Sequence, residues 1–156
     1  MAGHTVKVQR DILAEPAEVW AVLTDLERFA KVLTSVDVVE RVAGTGFDVG
    51  TRWRETRRMF GKSATEEMWV AALEPPTRMV VRAESKGTVY ETVFELAPSS
   101  LGTRLSVTFG AETSDASAGQ KLTWALMGPL GAKATKSALE QDLADIAIAV
   151  ESNHRR

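Results

Sequence analysis

The residues best suited to chemistry in this chain are carboxylates and guanidinia set two positions apart. Glu55 and Arg57 fall on one face of the alternating run Arg52–Phe60, and Glu66 and Glu67 follow just after Gly61. A charged group carried into an apolar interior costs several kcal/mol unless it is paired. An inward trio of Glu55, Arg57 and Glu66 therefore has two uses, an internal salt bridge or a fixed point for the polar head of a ligand, and the salt bridge is the more ordinary one. A desolvated Glu55 with a raised pKa would suit a general base acting next to a carbonyl, with Arg57 or Tyr90 steadying the developing oxyanion. Other chemistries have little support. The chain has no cysteine, and its two histidines, His4 and His154, stand in the terminal segments, which argues against thiol chemistry and an interior histidine base or metal site. No zinc spacing, phosphate loop or Gly-x-Ser-x-Gly turn occurs, so no metal and no cofactor is expected.

What these side chains face depends on hairpin register. A two-residue turn at Gly61–Lys62 puts Phe60 opposite Ser63 and pairs Trp53 with Val70, Glu55 with Met68, and Arg57 with Glu66. That face is mostly apolar and is assigned inward. Arg52, Arg54, Arg58, Glu67 and Trp69 then lie outside, where an Arg54–Trp69 cation–π contact is available. A three-residue turn instead sets Trp53 opposite Trp69 and Glu55 opposite Glu67, a carboxylate pair able to share a proton. The first register is preferred, because directly opposed like charges are destabilising and the second loses the Arg57–Glu66 pair. Around Lys86–Gly87 the same arithmetic pairs Ala83 with Tyr90, Val81 with Thr92 and Met79 with Phe94 inward, leaving Arg82 opposite Glu91 outside. The next turn brings Leu105, Val107 and Phe109 beside Leu96, Phe94 and Thr92. The inner wall is thus apolar, with Tyr90 and Thr92 as polar handles.

The elements that hold this wall follow from periodicity. Thr5–Leu13 alternates as a strand, Pro16 opens a short helix carrying Val19, Trp20 and Leu23, and Asp25 is expected to cap a second short helix over Leu26–Val32. Period two returns, with strands expected at Val36–Ala43, Thr51–Phe60, Lys62–Leu73, Arg78–Ser85, Thr88–Leu96 and Thr103–Ala111. Leu122, Leu126 and Leu130, then Leu139, Leu143, Ile146 and Val150, describe one apolar stripe at helical spacing. A kink is expected at Gly128–Pro129, followed by a straight segment to Ser152 of about 36 Å at 1.5 Å per residue. Trp124 and Met127 lie beside that break and suit a loosely specified apolar ligand, although such residues ordinarily pack a filled core.

The expected fold is therefore α+β: a curved seven-stranded antiparallel sheet closed by a long C-terminal helix, with two short helices after the first strand. The space left between sheet and helix becomes a pocket. The 156 residues make one domain, 1–156, and the net charge of −2 signals no polyanionic partner such as nucleic acid. The basic run Arg52–Lys62 is split between two faces by strand alternation and reads as a solvated outer surface. No segment has the length and apolarity needed to span a bilayer or to form a secretory signal, so no stable membrane insertion and a cytoplasmic location are expected. A homodimer is allowed but not indicated.

Several segments resemble the START-like or Bet v 1-like helix-grip (SRPBCC) superfamily, in particular its bacterial polyketide cyclase/dehydrase and lipid-transport branch. They are Ala14-Glu-Pro-Ala-Glu-Val-Trp20 with Thr24–Asp25, Val49-Gly-Thr-Arg-Trp53, Leu73-Glu-Pro-Pro76, Gly102-Thr-Arg-Leu105 and Leu139-Glu-Gln-Asp-Leu143. The resemblance runs over nearly the whole chain. It implies a deep cavity between sheet and C-terminal helix holding a lipid, polyketide or other apolar ligand, in a group that includes carriers, ligand-gated regulators and aromatase/cyclases. The shared motifs are mostly structural and identify a fold more than a reaction.

The leading expectation is a protein that binds an apolar or amphipathic small molecule. Its contacts would come from Trp53, Glu55, Arg57, Glu66, Met68, Val70, Met79, Val81, Tyr90, Thr92, Phe94, Val107, Phe109, Trp124 and Met127. The alternative is an aromatase/cyclase-type enzyme acting on a polyketide, with Glu55 the candidate acid/base. A third reading, a partner-binding module whose interior is filled by its own side chains, requires no void above about 300 Å³.

Overall fold

Alternation along β1 (Thr5–Ile12) turns Val8 and Ile12 into the core and leaves Lys7 and Gln9 in solvent. Pro16 then starts α1 (Pro16–Leu23), whose Val19 and Leu23 are buried. A 3₁₀ turn, Leu26–Arg28, runs directly into α2 (Phe29–Val32). The second short helix is therefore a composite, with Asp25 at its N-cap position but without a side-chain capping hydrogen bond. The computed structural model describes residues 5–59, 61–85, 88–113 and 129–154.

The remaining strands are β2 (Val36–Ala43), β3 (Arg52–Met59), β4 (Lys62–Glu74), β5 (Arg78–Ser85), β6 (Thr88–Ser99) and β7 (Gly102–Thr113), and the chain continues into α3 (Pro129–His154). All seven strands form one antiparallel sheet in the order β1-β7-β6-β5-β4-β3-β2. The 26 residues of α3 extend about 39 Å at 1.5 Å per residue. Leu143, Ile146, Ala147 and Val150 of α3 join Val8, Ile12, Val19, Leu23 and Leu26 in one buried cluster. Leu122 and Leu126 of the expected stripe, and Gly128 of the kink expected at Gly128–Pro129, lie outside the described residues.

Gly102 shows why the meander turns where it does. Its φ is +142°, and a Cβ added there would stand 2.7 Å from the carbonyl oxygens of both Ile12 and Ala14. Only glycine lets β7 begin this close to the end of β1. Next to it, the buried Thr103 hydroxyl donates to the Ala14 carbonyl at 2.7 Å.

The β5–β6 and β6–β7 registers are those expected: Ala83 faces Tyr90, Val81 faces Thr92, Met79 faces Phe94, and Thr92 faces Phe109. The β3–β4 register corrects both alternatives drawn from the sequence. Met59 lies opposite Lys62, so the turn is centred one residue earlier than Gly61–Lys62, and Gly61 supplies the left-handed φ of +73°. Trp53 consequently pairs with Met68, Glu55 with Glu66, and Arg57 with Ala64. The shift along β4 is two residues, which leaves every side chain on the face first assigned while changing its neighbour. Glu66 is inward, as the first register required, but stands across from a carboxylate instead of Arg57. Outside, it is Arg52, not Arg54, that lies over Trp69, 4.8 Å from the ring centroid. The outer arginines are paired: Arg52 with Glu67, Arg54 with Glu40 and Glu67, and Arg58 with Asp37.

Candidate functional site

Between the concave sheet and α3 lies a cavity of about 440 Å³. It exceeds the lower limit of about 300 Å³ for ligand pockets, so the described interior is not filled by its own side chains. Its walls are built at two scales. Along the sheet, alternate residues over parts of β3 to β7 face it, such as Trp53, Glu55 and Arg57 or Tyr90, Thr92 and Phe94; along α3, Thr135, Ala138, Leu139, Asp142 and Ile146 recur at helical spacing on one stripe.

One end is aromatic and apolar. Phe29, Phe47 and Trp53 pack edge-on or tilted with centroids 5.9–6.3 Å apart, and Val22, Leu23 and Val32 from the two short helices line the cavity with Leu33, the residue after α2. Met68, Met79, Val81, Phe94 and Val107 line the sheet side, and Tyr90 stacks on Phe109 with centroids 5.7 Å apart.

The polar end is an ion network spanning sheet and helix. Glu55 is 6% exposed; its Oε1 accepts from Trp53 Nε1 at 3.3 Å and its Oε2 from Arg57 Nε at 3.2 Å. Arg57 Nη1 donates to both oxygens of Asp142 on α3, at 2.9 and 3.2 Å. Burial works against the Arg57 charge, but Asp142 and Glu55 outweigh it and raise its pKa. Burial likewise pushes Asp142 up to about 6; Arg57 pulls it back, while Glu55 and Asp145 add to the rise.

Glu66 differs from the other acids. Among the described residues it makes no hydrogen bond or ion pair, and burial followed by the facing Glu55 charge raises its pKa, with Arg57 only partly opposing. Burial and then the Glu66 charge raise Tyr90, keeping its phenol protonated and able to donate. Thr135, 2% exposed on α3, lines the cavity with a hydroxyl that has no hydrogen-bond partner among the described residues. At the hairpin end, Lys62, Ser63 and Ala64 are exposed parts of the lining.

Of the residues singled out from sequence, Trp53, Glu55, Arg57, Glu66, Met68, Met79, Val81, Tyr90, Thr92, Phe94, Val107 and Phe109 stand in the cavity wall. Val70 does not; at 1% exposure it packs into the core. Trp124 and Met127 lie outside the described residues. The expected Arg57–Glu66 pair is replaced by Arg57 with Glu55 and Asp142. Sequence reasoning misses Asp142, although its signal is present: it lies three residues after Leu139 and four before Ile146, a carboxylate inside the apolar stripe. Phe29 and Phe47 are missed too, because they reach the cavity from a short helix and a loop whose orientation no strand or helix period encodes.

Against known proteins, the family model for polyketide cyclase/dehydrase and lipid transport matches residues 3–151. The chain belongs to that family. No curated protein matches it in sequence. TTHA0849 from Thermus thermophilus is 24% identical, with a TM-score of 0.77, over 96% of this chain and 99% of that one. Zhui aromatase/cyclase from Streptomyces sp. R1128 is 15% identical, with a TM-score of 0.75, over 96% and 94% of the two chains. Ara h 8.0201 is 16% identical, with a TM-score of 0.68, over 97% and 99%. At these identities the likeness is one of fold, and it is the helix-grip arrangement expected from the sequence of this polyketide cyclase/dehydrase and lipid transport family member. Among the described residues no helix is long and apolar enough to cross a membrane.

Proposed function

We propose that this chain binds one hydrophobic or amphipathic small molecule, of lipid or polyketide type, in the cavity between sheet and α3. The observation that carries the reading is the cavity itself: about 440 Å³, walled mainly by aromatic, Met and aliphatic side chains, with charged groups gathered at one end. Its size suits a small organic ligand. Met68 and Met79 adapt to irregular shapes, and the aromatic group around Trp53 offers a rigid apolar surface.

A second reading, an aromatase/cyclase-type enzyme, draws on Glu66. Both carboxylate oxygens of Glu55 are engaged, so a general base in this site is better sought at Glu66, whose raised pKa and lack of a bonded partner among the described residues suit proton transfer. In that reading Glu66→Gln retains ligand affinity and loses turnover.

Filling the void tests the main reading. Ala138 faces the cavity from α3, and Ala138→Trp introduces an indole there. Native mass spectrometry of the wild-type chain, with denaturing extraction of any passenger, should show a stoichiometric apolar compound that Ala138→Trp lacks while keeping its circular dichroism spectrum. Equal occupancy in a folded Ala138→Trp would contradict binding at this place.

A further inference from the structure

We infer that the cavity selects ligands whose polar head donates hydrogen bonds without carrying negative charge, a hydroxyl or an ammonium, and rejects carboxylates. This rests on the binding reading above and concerns the chemistry of its polar end.

Among the described lining residues the charged groups are Glu55, Glu66, Asp142, Arg57 and Lys62. Lys62 is exposed, so its attraction for an anion is screened by solvent. Inside, three carboxylates surround one guanidinium. Arg57 is bracketed by Glu55 at 3.2 Å and Asp142 at 2.9 Å, so the one inner cation already has two counter-charges. A ligand carboxylate brought to this end would meet an excess of negative charge in a partly desolvated site, where like charges repel strongly.

A donor head meets the opposite situation. Glu66 projects from the cavity face of β4 across from Glu55 with its acceptor capacity unused among the described residues. An ionised carboxylate is acceptor-only, so a hydroxyl or ammonium complements it, and an ammonium also relieves the repulsion between the two glutamates. The neutral polar groups of the wall, the hydroxyls of Tyr90, Thr92, Thr135 and, at the exposed hairpin end, Ser63, can donate or accept and do not discriminate by charge. Thr135 independently indicates a polar ligand group here, since its buried hydroxyl stands without a hydrogen-bond partner among the described residues, on the same helical stripe as Asp142. The outer-face acids Glu40, Glu67 and Glu91 are paired with arginines on the other side of the sheet and take no part.

The test uses four probes sharing one alkyl chain: decanol, decylamine, methyl decanoate and decanoate, below their aggregation limits at neutral pH. Binding to the full chain is followed by intrinsic tryptophan fluorescence and by calorimetry. Decanol and decylamine should bind at least tenfold more tightly than decanoate, with methyl decanoate, a neutral acceptor, between them. In Glu66→Gln the preference for decylamine over decanoate should shrink severalfold. Decanoate binding as tightly as decanol would overturn the head selectivity while leaving the cavity reading intact. Methyl decanoate equal to decanol would overturn the donor requirement. Failure of all four probes to bind would overturn the binding reading itself, and this inference with it.

Discussion

At the residue scale, Asp142 and Arg57 do two things at once: they join the long helix to the middle of β3, and they set the electrostatics of the cavity. Asp142 is held near pKa 6 against an ordinary 3.8, chiefly by burial. Between those values the folded chain retains a proton that the unfolded chain has released, so this group lowers stability progressively as pH rises through that interval. Below it the cost is absent, and above it the cost is complete, at most about 3 kcal/mol. The expected outcome is that the unfolding free energy of the wild type, minus that of Asp142→Asn, declines between about pH 4 and pH 6 and is flat above about pH 7. Urea unfolding across this range measures it, and a difference that rises with pH would contradict the assignment. The cavity role of Asp142 is legible in the sequence as an acid interrupting the apolar stripe of α3. Its pairing with Arg57 is not, because the two are 85 positions apart and no local period links them.

At the element scale, the strands are readable because alternation and glycine or proline punctuation coincide; β2 and β5 begin and end where the pattern changes. The β3–β4 register is not readable from charge pairing. Opposing Glu55 to Glu66 is locally unfavourable, yet it is the pairing formed with Gly61 in the turn, and the Glu66 pKa is raised first by burial and then by the facing Glu55 charge. Trp53, Glu55, Glu66 and Met68 nevertheless face the cavity, since a two-residue slip preserves the face. Elsewhere, Asp145 fastens α3 to the short-helix region: its Oδ2 accepts from the backbone N–H and the hydroxyl of Thr34, both at 2.9 Å. The start of β7 depends on the missing side chain of Gly102. Gly102→Ala should lower stability by about 1–3 kcal/mol, through strain and displacement of the Ile12 and Ala14 carbonyls, with no direct loss of cavity-lining groups. Chemical denaturation measures it, and a stability equal to the wild type would show that the β1–β7 approach is looser than described.

At the scale of the whole molecule, sheet, short helices and α3 each contribute a wall that none could close alone. The curved sheet supplies the apolar body of the cavity, Phe29 of α2, Phe47 of the β2–β3 loop and Trp53 of β3 its aromatic end, and α3 a lid carrying the acid that completes the polar end. Family membership and fold agree with a ligand-holding interior, and the proposed selectivity rests on the charged end and on Glu66, unpaired among the described residues. The most direct test of ligand binding in this cavity is methyl NMR on the chain with its five methionines labelled, titrated with decanol. Met68 and Met79 line the cavity and are identified by Met→Leu substitution at each position. Both methyl signals should shift together and saturate at one equivalent of probe. Both signals unmoved in excess decanol would contradict a ligand site between sheet and α3.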